Sequence, residues 1–428
     1  MIFYHLVLMT IILWCLSPLA WAGRYWVSLL GNDANGCIPS DTQPADLANN
    51  ARATPLQGDA CLGQPGGPHR VTILAGTYTG PNARLDIANS GVSGNHHIVE
   101  GDPSSSPTCA KTSTCPTILV PDSSVVWGVV LTGSYITIRN LDVNSQNTIS
   151  YAMRLGTSDA VTYTQHLIEN VELRNSPASG IFVHTTTSFW TLRGMNSHDN
   201  GTDGFDHGGY LSGDDGLIEN SWFHHNDGNG IQCYNSTDDQ ADRCTVRFSR
   251  FNNNGADGFV LEGDDDLAYA NETYGNAFSG ILCMRARNKV FNNLIYGNGT
   301  LGFSTSGTGC DDLQFKNNIV TENGSTEVQI APGNTGAVLS NNACGASESC
   351  GTTGKVTITS ILDCVVSLTD FRLKAGAPCI DTGLTLPEAS IDFLGVSRPQ
   401  GAAYDIGAYE FVDVDVTPPS IPTGVRVD

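Results

Sequence analysis

A short motif recurs through the stretch from Asn170 to Asn323. An Asn- or Asp-rich turn leads to Gly, then Ile or Phe, then a short apolar strand. It reads as Gly180-Ile181, Gly204-Phe205, Gly230-Ile231, Gly258-Phe259, Gly280-Ile281 and Gly302-Phe303, at intervals of 24, 26, 28, 22 and 22 residues. Each interval holds a second short strand, such as Leu167-Ile168-Glu169-Asn170, Leu217-Ile218-Glu219-Asn220 or Val290-Phe291-Asn292-Asn293. Self-similarity at such a period implies a solenoid, because one unit cannot bury its own apolar face and must stack on its neighbours. Helical periodicity is nearly absent, and the abundance of Gly, Asn and Asp marks turns between strands.

Side chains alternate along a strand, so the first and third residues after each Gly are expected to face inward. They are Ile181 and Val183, Phe205 and His207, Ile231 and Cys233, Phe259 and Leu261, Ile281 and Cys283, and Phe303 and Thr305. Asn170, Asn220, Asn271, Asn293 and Asn318 recur near one turn, where stacked amides form ladders along the axis.

These repeats resemble the secreted right-handed parallel β-helix proteins of the pectate-lyase-like superfamily, over roughly residues 23 to 411. The expected fold is all-β: a right-handed parallel β-helix with N-terminal and C-terminal capping segments. Lyases, hydrolases, epimerases and proteins without enzymatic activity share that fold, so activity has to be argued from the site.

In chain order, residues 1–22 read as a signal peptide, with an apolar run from Leu6 to Leu16 and small residues at Ala20 and Ala22. An exported location (secreted, periplasmic or cell-surface) and no membrane insertion after cleavage follow as expectations. Residues 23–134 form an N-terminal segment and first coils, 135–343 the regular coils, and 344–411 the closing coils and cap. In the cap, Asp381, Arg398, Asp405 and Glu410 are expected to form a structural network. Residues 412–428 are a Pro-rich linker that resembles the start of a fibronectin type III module. Leaving out Cys15, the chain carries an even twelve cysteines, as a disulfide-bearing exported protein should. The local pairs expected are Cys37 with Cys61, Cys109 with Cys115, Cys344 with Cys350, and Cys364 with Cys379. Cys233, Cys244, Cys283 and Cys310 stay unassigned, and Cys233 and Cys283 are candidates for inert buried thiols. A net charge of −22 opposes binding to nucleic acid or anionic membranes, both of which call for a basic surface. The chain is expected to act as a monomer on a polysaccharide, with an acidic glycan favoured.

On a β-helix the outward residues of one sheet line a groove. The second residue after each Gly gives the row Phe182, Asp206, Gln232, Val260, Leu282, Ser304, and the fourth gives His184, Gly208, Tyr234, Glu262, Met284, Ser306. Asp203, Asp206, Asp214 and Asp215 form an acidic set suited to a hard cation, calcium first. Arg285 and Arg287 are scarce positive charges able to hold a uronate carboxylate, with Gln232 as a further substrate contact. The run Asp203-Gly204-Phe205-Asp206 resembles calcium-dependent pectate lyases, yet the position of their proton-abstracting Lys is filled here by Val260 or Gln232. Gly204-Phe205-Asp206-His207 also resembles a run of alginate epimerases and lyases, without its Pro.

Proton abstraction β to a leaving glycosidic oxygen requires a base, a neutraliser for the carboxylate and an acid. The candidates are His184 or His207 as base, calcium or Arg285 as neutraliser, and Tyr234 as acid. Asp206 and Glu262, two coils apart at about 9.6 Å, form the alternative carboxylate pair of a glycosidase. A non-catalytic carbohydrate-binding protein, with Phe182, Tyr234 and Trp222 as sugar platforms, and a structural surface scaffold are the competing expectations.

Overall fold

The computed structural model describes residues 23–102, 115–157, 160–235 and 240–413. The signal segment, Cys109 and the tail beyond Asp413 lie outside them. The chain winds as a parallel β-solenoid with three faces. Two faces merge into one 22-stranded sheet, because the long strands Ile136–Asn144 and His166–Arg174 run through the corner between them. Ten strands make the third face, from Leu85–Ile87 through Trp127–Leu131, Tyr151–Leu155, Ile181–Val183, Gly209–Leu211 and Ile231–Cys233 to Thr326–Gln329.

Strands of about three residues need a turn every few residues, and the backbone makes these turns with left-handed residues at the corners. One corner repeats as Asn140, Asn170, Gly194, Asn220, Phe248, Ala270, Asn292, Asn317 and Asn341, all at positive φ. Asn and Gly tolerate that conformation with least strain. Asn170 and Asn220 therefore belong to this corner and not to a buried ladder, whereas Asn271, Asn293, Asn318 and Asn342 do form one, each amide donating to the next at 3.0 to 3.2 Å. A second ladder, Asn200-Asn226-Asn254-Asn276-Asn298-Asn323, runs down another corner with amide bonds of 2.9 to 3.0 Å. These chains satisfy amides that the core would otherwise strand.

Inside, the rungs bury one continuous core in which Phe223 stacks on Phe251 at 5.5 Å, and Phe251 packs against Phe259. At the N-terminal end the short helices Leu47–Asn50 and Pro55–Asp59, with the Cys37–Cys61 disulfide, cover the first rung. At the other end the chain doubles back. Phe371, Leu373, Ile406 and Tyr409 pack on Leu294, Ile319 and Ala343, the outward residues of the second face. Within this strap Arg398 and Glu410 form a fully buried ion pair at 2.8 Å. Asp405 accepts from the backbone of Asp381, so the expected structural network is present.

One repeat differs from its sequence reading. The strand following Val183 on the third face is Gly209–Leu211, with Gly209 opposite Ile181 and Leu211 opposite Val183. Phe205 is 81% exposed and lies in a loop, not in the core. The equivalent of Gly180 is Gly208, whose carbonyl accepts from the Ile181 N–H. The coil is enlarged by the segment 200–207, and a second Gly-aromatic pair inside that insertion imitates the repeat.

Candidate functional site

With the register corrected, the outward row of the third face reads Arg154, Phe182, Tyr210, Gln232, Val260. Tyr210 takes the place expected for Asp206. The row beside it is His184, Ser212, Tyr234, Glu262, each fixed because its N–H bonds to the preceding coil. Coils stack at about 4.8 Å, so these residues become neighbours.

Aromatic rings cover the groove. Trp127 stacks on Tyr151 at 5.1 Å, Tyr151 meets Phe182 edge-on at 5.8 Å, and Phe182 lies flat against Tyr210 at 5.6 Å. Tyr210 continues the run to Tyr234 at 4.7 Å. The Arg154 guanidinium lies over both Trp127 (4.5 Å) and Phe182 (5.1 Å). All five rings are half-buried.

Polar groups converge at the middle of this strip. His207 stacks on Tyr210 at 5.7 Å, nearly parallel to it. Its Nδ1 accepts the Asn229 N–H at 3.0 Å, which leaves the proton on Nε2, the nitrogen facing Gln232. Gln232 Nε2 in turn donates to Glu262 Oε2 at 2.8 Å. Burial pushes His207 down to about 4, so the ring is neutral. With its one lone pair already engaged, His207 is a hydrogen-bond donor and not the proton acceptor expected from sequence. Burial also raises the Glu262 carboxyl, against the Gln232 bond and the charge of Arg285.

Asp206 precedes His207 on the enlarged loop, at the edge of the same patch; burial raises the Tyr151 phenol and the charge of Asp206 adds to it. Its own carboxyl is pushed up to about 6, first by burial and then by the charge and hydrogen bond of Asp203. Asp227 adds to the effect from the next coil, where its Oδ2 accepts the Gly204 N–H at 2.6 Å. Tyr210 and Tyr234 share a hydrogen bond, and burial raises the Tyr210 hydroxyl. His184 flanks the strip, its ring edge-on to Phe182 and its Nδ1 3.1 Å from the Thr186 hydroxyl.

The structure thus brings together Asp203, Asp206, His184, His207, Gln232, Tyr234, Glu262 and Arg285, and it separates the remainder. Asp214 and Asp215 ion-pair with Arg243 at 3.4 and 2.6 Å, one coil before Arg287 ion-pairs with Asp264 and Asp265 at 3.1 and 2.8 Å. These are exposed charge pairs of one loop corner, so neither the cation role of Asp214 and Asp215 nor the substrate role of Arg287 has geometric support. Among the described residues no group of three His, Cys, Asp or Glu side chains is arranged to hold a metal, and the acidic set expected for calcium does not fit as one ligand shell. Trp222 lies on the second face, where it stacks on His224, and is no part of this groove. Trp127, Tyr151, Arg154, Tyr210 and Asp227 were missed in the sequence. Only the alternation in Tyr151-Ala152-Met153-Arg154-Leu155 pointed to the first coil of the strip.

Residues 127–285 and 210–360 match the family described as the right-handed β-helix region, together more than half of the chain. No curated protein sequence matches it. Among solved structures, a pectate lyase, Pel9A, superposes with a TM-score of 0.60 at 16% identity, covering 91% of this chain and 97% of that one. A rhamnogalacturonan lyase gives 0.56 at 14% identity, covering 81% of this chain and 91% of the other. The A-module of the mannuronan C-5 epimerase AlgE6 from Azotobacter vinelandii gives 0.54 at 19% identity, covering 68% and 81%. At such identities the likeness is one of fold. The family match, the parallel three-faced coil and these superpositions place the chain in the right-handed β-helix family, with the pectate-lyase-like architecture.

Proposed function

We propose that the chain is a polysaccharide lyase or epimerase acting on a uronate-containing glycan, with its centre on the third face between Tyr151 and Glu262. The observation that carries this reading is the meeting of a proton-transfer group with an aromatic groove. Asp206, held near 6, is the chain neighbour of His207, whose ring stacks on Tyr210 within the Phe182-Tyr210-Tyr234 ring series. The named lyases and epimerase of the same fold support the substrate class.

Sugar rings present apolar C–H faces that pack on aromatic side chains, and the strip from Trp127 to Tyr234 supplies half-buried rings in succession. Arg154, in the row beside Phe182, is the guanidinium best placed to hold a substrate carboxylate and so to favour the charge that develops when the adjacent C–H bond breaks. Asp206 is the base. A carboxylate with a pKa near 6 is a stronger proton acceptor than an ordinary one and is still ionised at neutral pH. The Tyr210–Tyr234 pair provides the proton donor, and neutral His207 fixes the Tyr210 ring from one side. Gln232 and Glu262 orient substrate hydroxyls. Calcium takes no step in this scheme, because its expected ligands are divided between two places. The disulfides Cys37–Cys61, Cys283–Cys310, Cys344–Cys350 and Cys364–Cys379 fit work in an oxidising compartment outside the cytosol.

The test is absorbance at 235 nm for unsaturated products, together with proton NMR for C-5 inversion, on pectate, alginate and related glycans. Turnover that disappears in Asp206→Asn supports the reading, and no change by either readout on any uronate glycan overturns it. The aromatic series extends beyond the titratable groups to Trp127, and this favours a second reading, a carbohydrate-binding module without turnover. Glycan binding by the wild type, unchanged in Asp206→Asn and without products, would establish that alternative.

A further inference from the structure

Cys233 and Cys244 are the two free cysteines among the described residues, and both are buried. Their Sγ atoms are 2.8 Å apart, only about 0.8 Å beyond a bonded pair. Cys233 ends the strand that carries Gln232, and Tyr234 follows it, so the pair closes the loop leaving the centre of the groove. The same inward row holds Leu261 and then Cys283, in register. Cys283 is disulfide-bonded to Cys310, which lies one coil further on, in the loop after the neighbouring strand Leu301–Thr305. Both ends of the earlier loop are already fixed, Tyr234 N–H to the Leu211 carbonyl at 2.8 Å and Cys244 N–H to Asp266 Oδ1 at 2.8 Å.

We infer that Cys233 and Cys244 are oxidised to a disulfide in the mature protein, a staple within one coil that holds Tyr234 at the groove, on the same inward row from which Cys283 is bonded to the next coil. Each thiol gives up its proton, the two sulfurs join, and the two electrons pass to a disulfide oxidant, which leaves as two thiols. The bond with Cys244 lowers the Cys233 thiol, but burial and nearby carboxylates outweigh it, and burial raises Cys244, so thiolate is scarce once the coils have closed. The bond therefore forms while the loop is still open during folding.

Trypsin offers a direct reading, since no Lys or Arg lies between Arg193 and Arg243 and the next cut falls after Arg247. Full-length protein, refolded with a glutathione redox pair until the Cys364–Cys379 linkage is complete, is unfolded in maleimide without reductant and digested. The expected product is Gly194–Arg243 joined to the tetrapeptide Cys244–Arg247, lighter by two hydrogens than its separate parts and unlabelled. Recovery of Gly194–Arg243 as a free peptide carrying maleimide on Cys233 overturns the inference. The measurement does not use activity, so it stands or falls apart from the proposed reaction.

Discussion

Asp206 owes its raised pKa first to burial and then to Asp203, and the two causes can be separated. If its carboxylate is the base, the rate rises with pH through about 6 in the pH profile of kcat/KM. Asp203→Asn removes the like charge, lowers the Asp206 pKa and moves that rising limb to more acid pH, while Asp206→Asn lowers kcat by about 100-fold or more. A profile that Asp203→Asn leaves in place would sink the assignment. Trp127→Ala removes the outermost ring and its contact with Arg154. The expected loss is about 1–1.5 kcal/mol, a Kd weakened roughly 5- to 12-fold by calorimetry on a glycan oligomer.

At the level of the element, the buried amide ladders and left-handed corners set the length of each coil. Asn254 is held on both sides, receiving the Asn226 amide at 3.0 Å and giving its own to Asn276 at 2.9 Å and to the Phe223 carbonyl at 3.1 Å. Asn254→Ala strands buried partners in two coils and is expected to cost about 2–3 kcal/mol, read as a lowered Tm by circular dichroism with the spectrum unchanged. The elements were legible in the sequence wherever the extra residues of a coil carried no Gly-aromatic pair of their own, even in the 28-residue coil from Gly230 to Gly258. Ile231, Phe259, Ile281 and Phe303 lie inward as their spacing demands. Legibility failed at Gly204-Phe205, because a loop that carries its own Gly-Phe pair is indistinguishable from a rung when only spacing is read. That single misplacement hid Tyr210, and with it the link between Phe182 and Tyr234. Asp206 and His207 were found through their spacing after Gly204 and the resemblance of that run, but their positions depend on a loop path that no periodicity encodes.

For the whole molecule, the ends decide the stability of a solenoid, since an uncovered first rung exposes the core to water. Here the C-terminal strap closes over the second face through the buried Arg398–Glu410 pair, and the N-terminal cap rests on Val27, Val71 and Leu85. The cap contains one group at odds with neutral pH. Asp59 is 5% exposed, its Oδ2 accepts the Asp86 N–H at 2.6 Å, and burial pushes its carboxyl up to about 8. An unfolded Asp titrates near 4, so the folded state holds a proton that the unfolded chain releases. This contribution is present in full below about pH 4, declines as pH rises and is lost above about 8. Asp59→Asn keeps the acceptor oxygen and removes the titration. Its Tm should match the wild type near pH 4 and exceed it by several degrees at pH 8.5, with the gap opening steadily between the two. Parallel Tm curves for the two proteins across that range would show that Asp59 stays ionised in the fold and that the cap is looser than its packing implies.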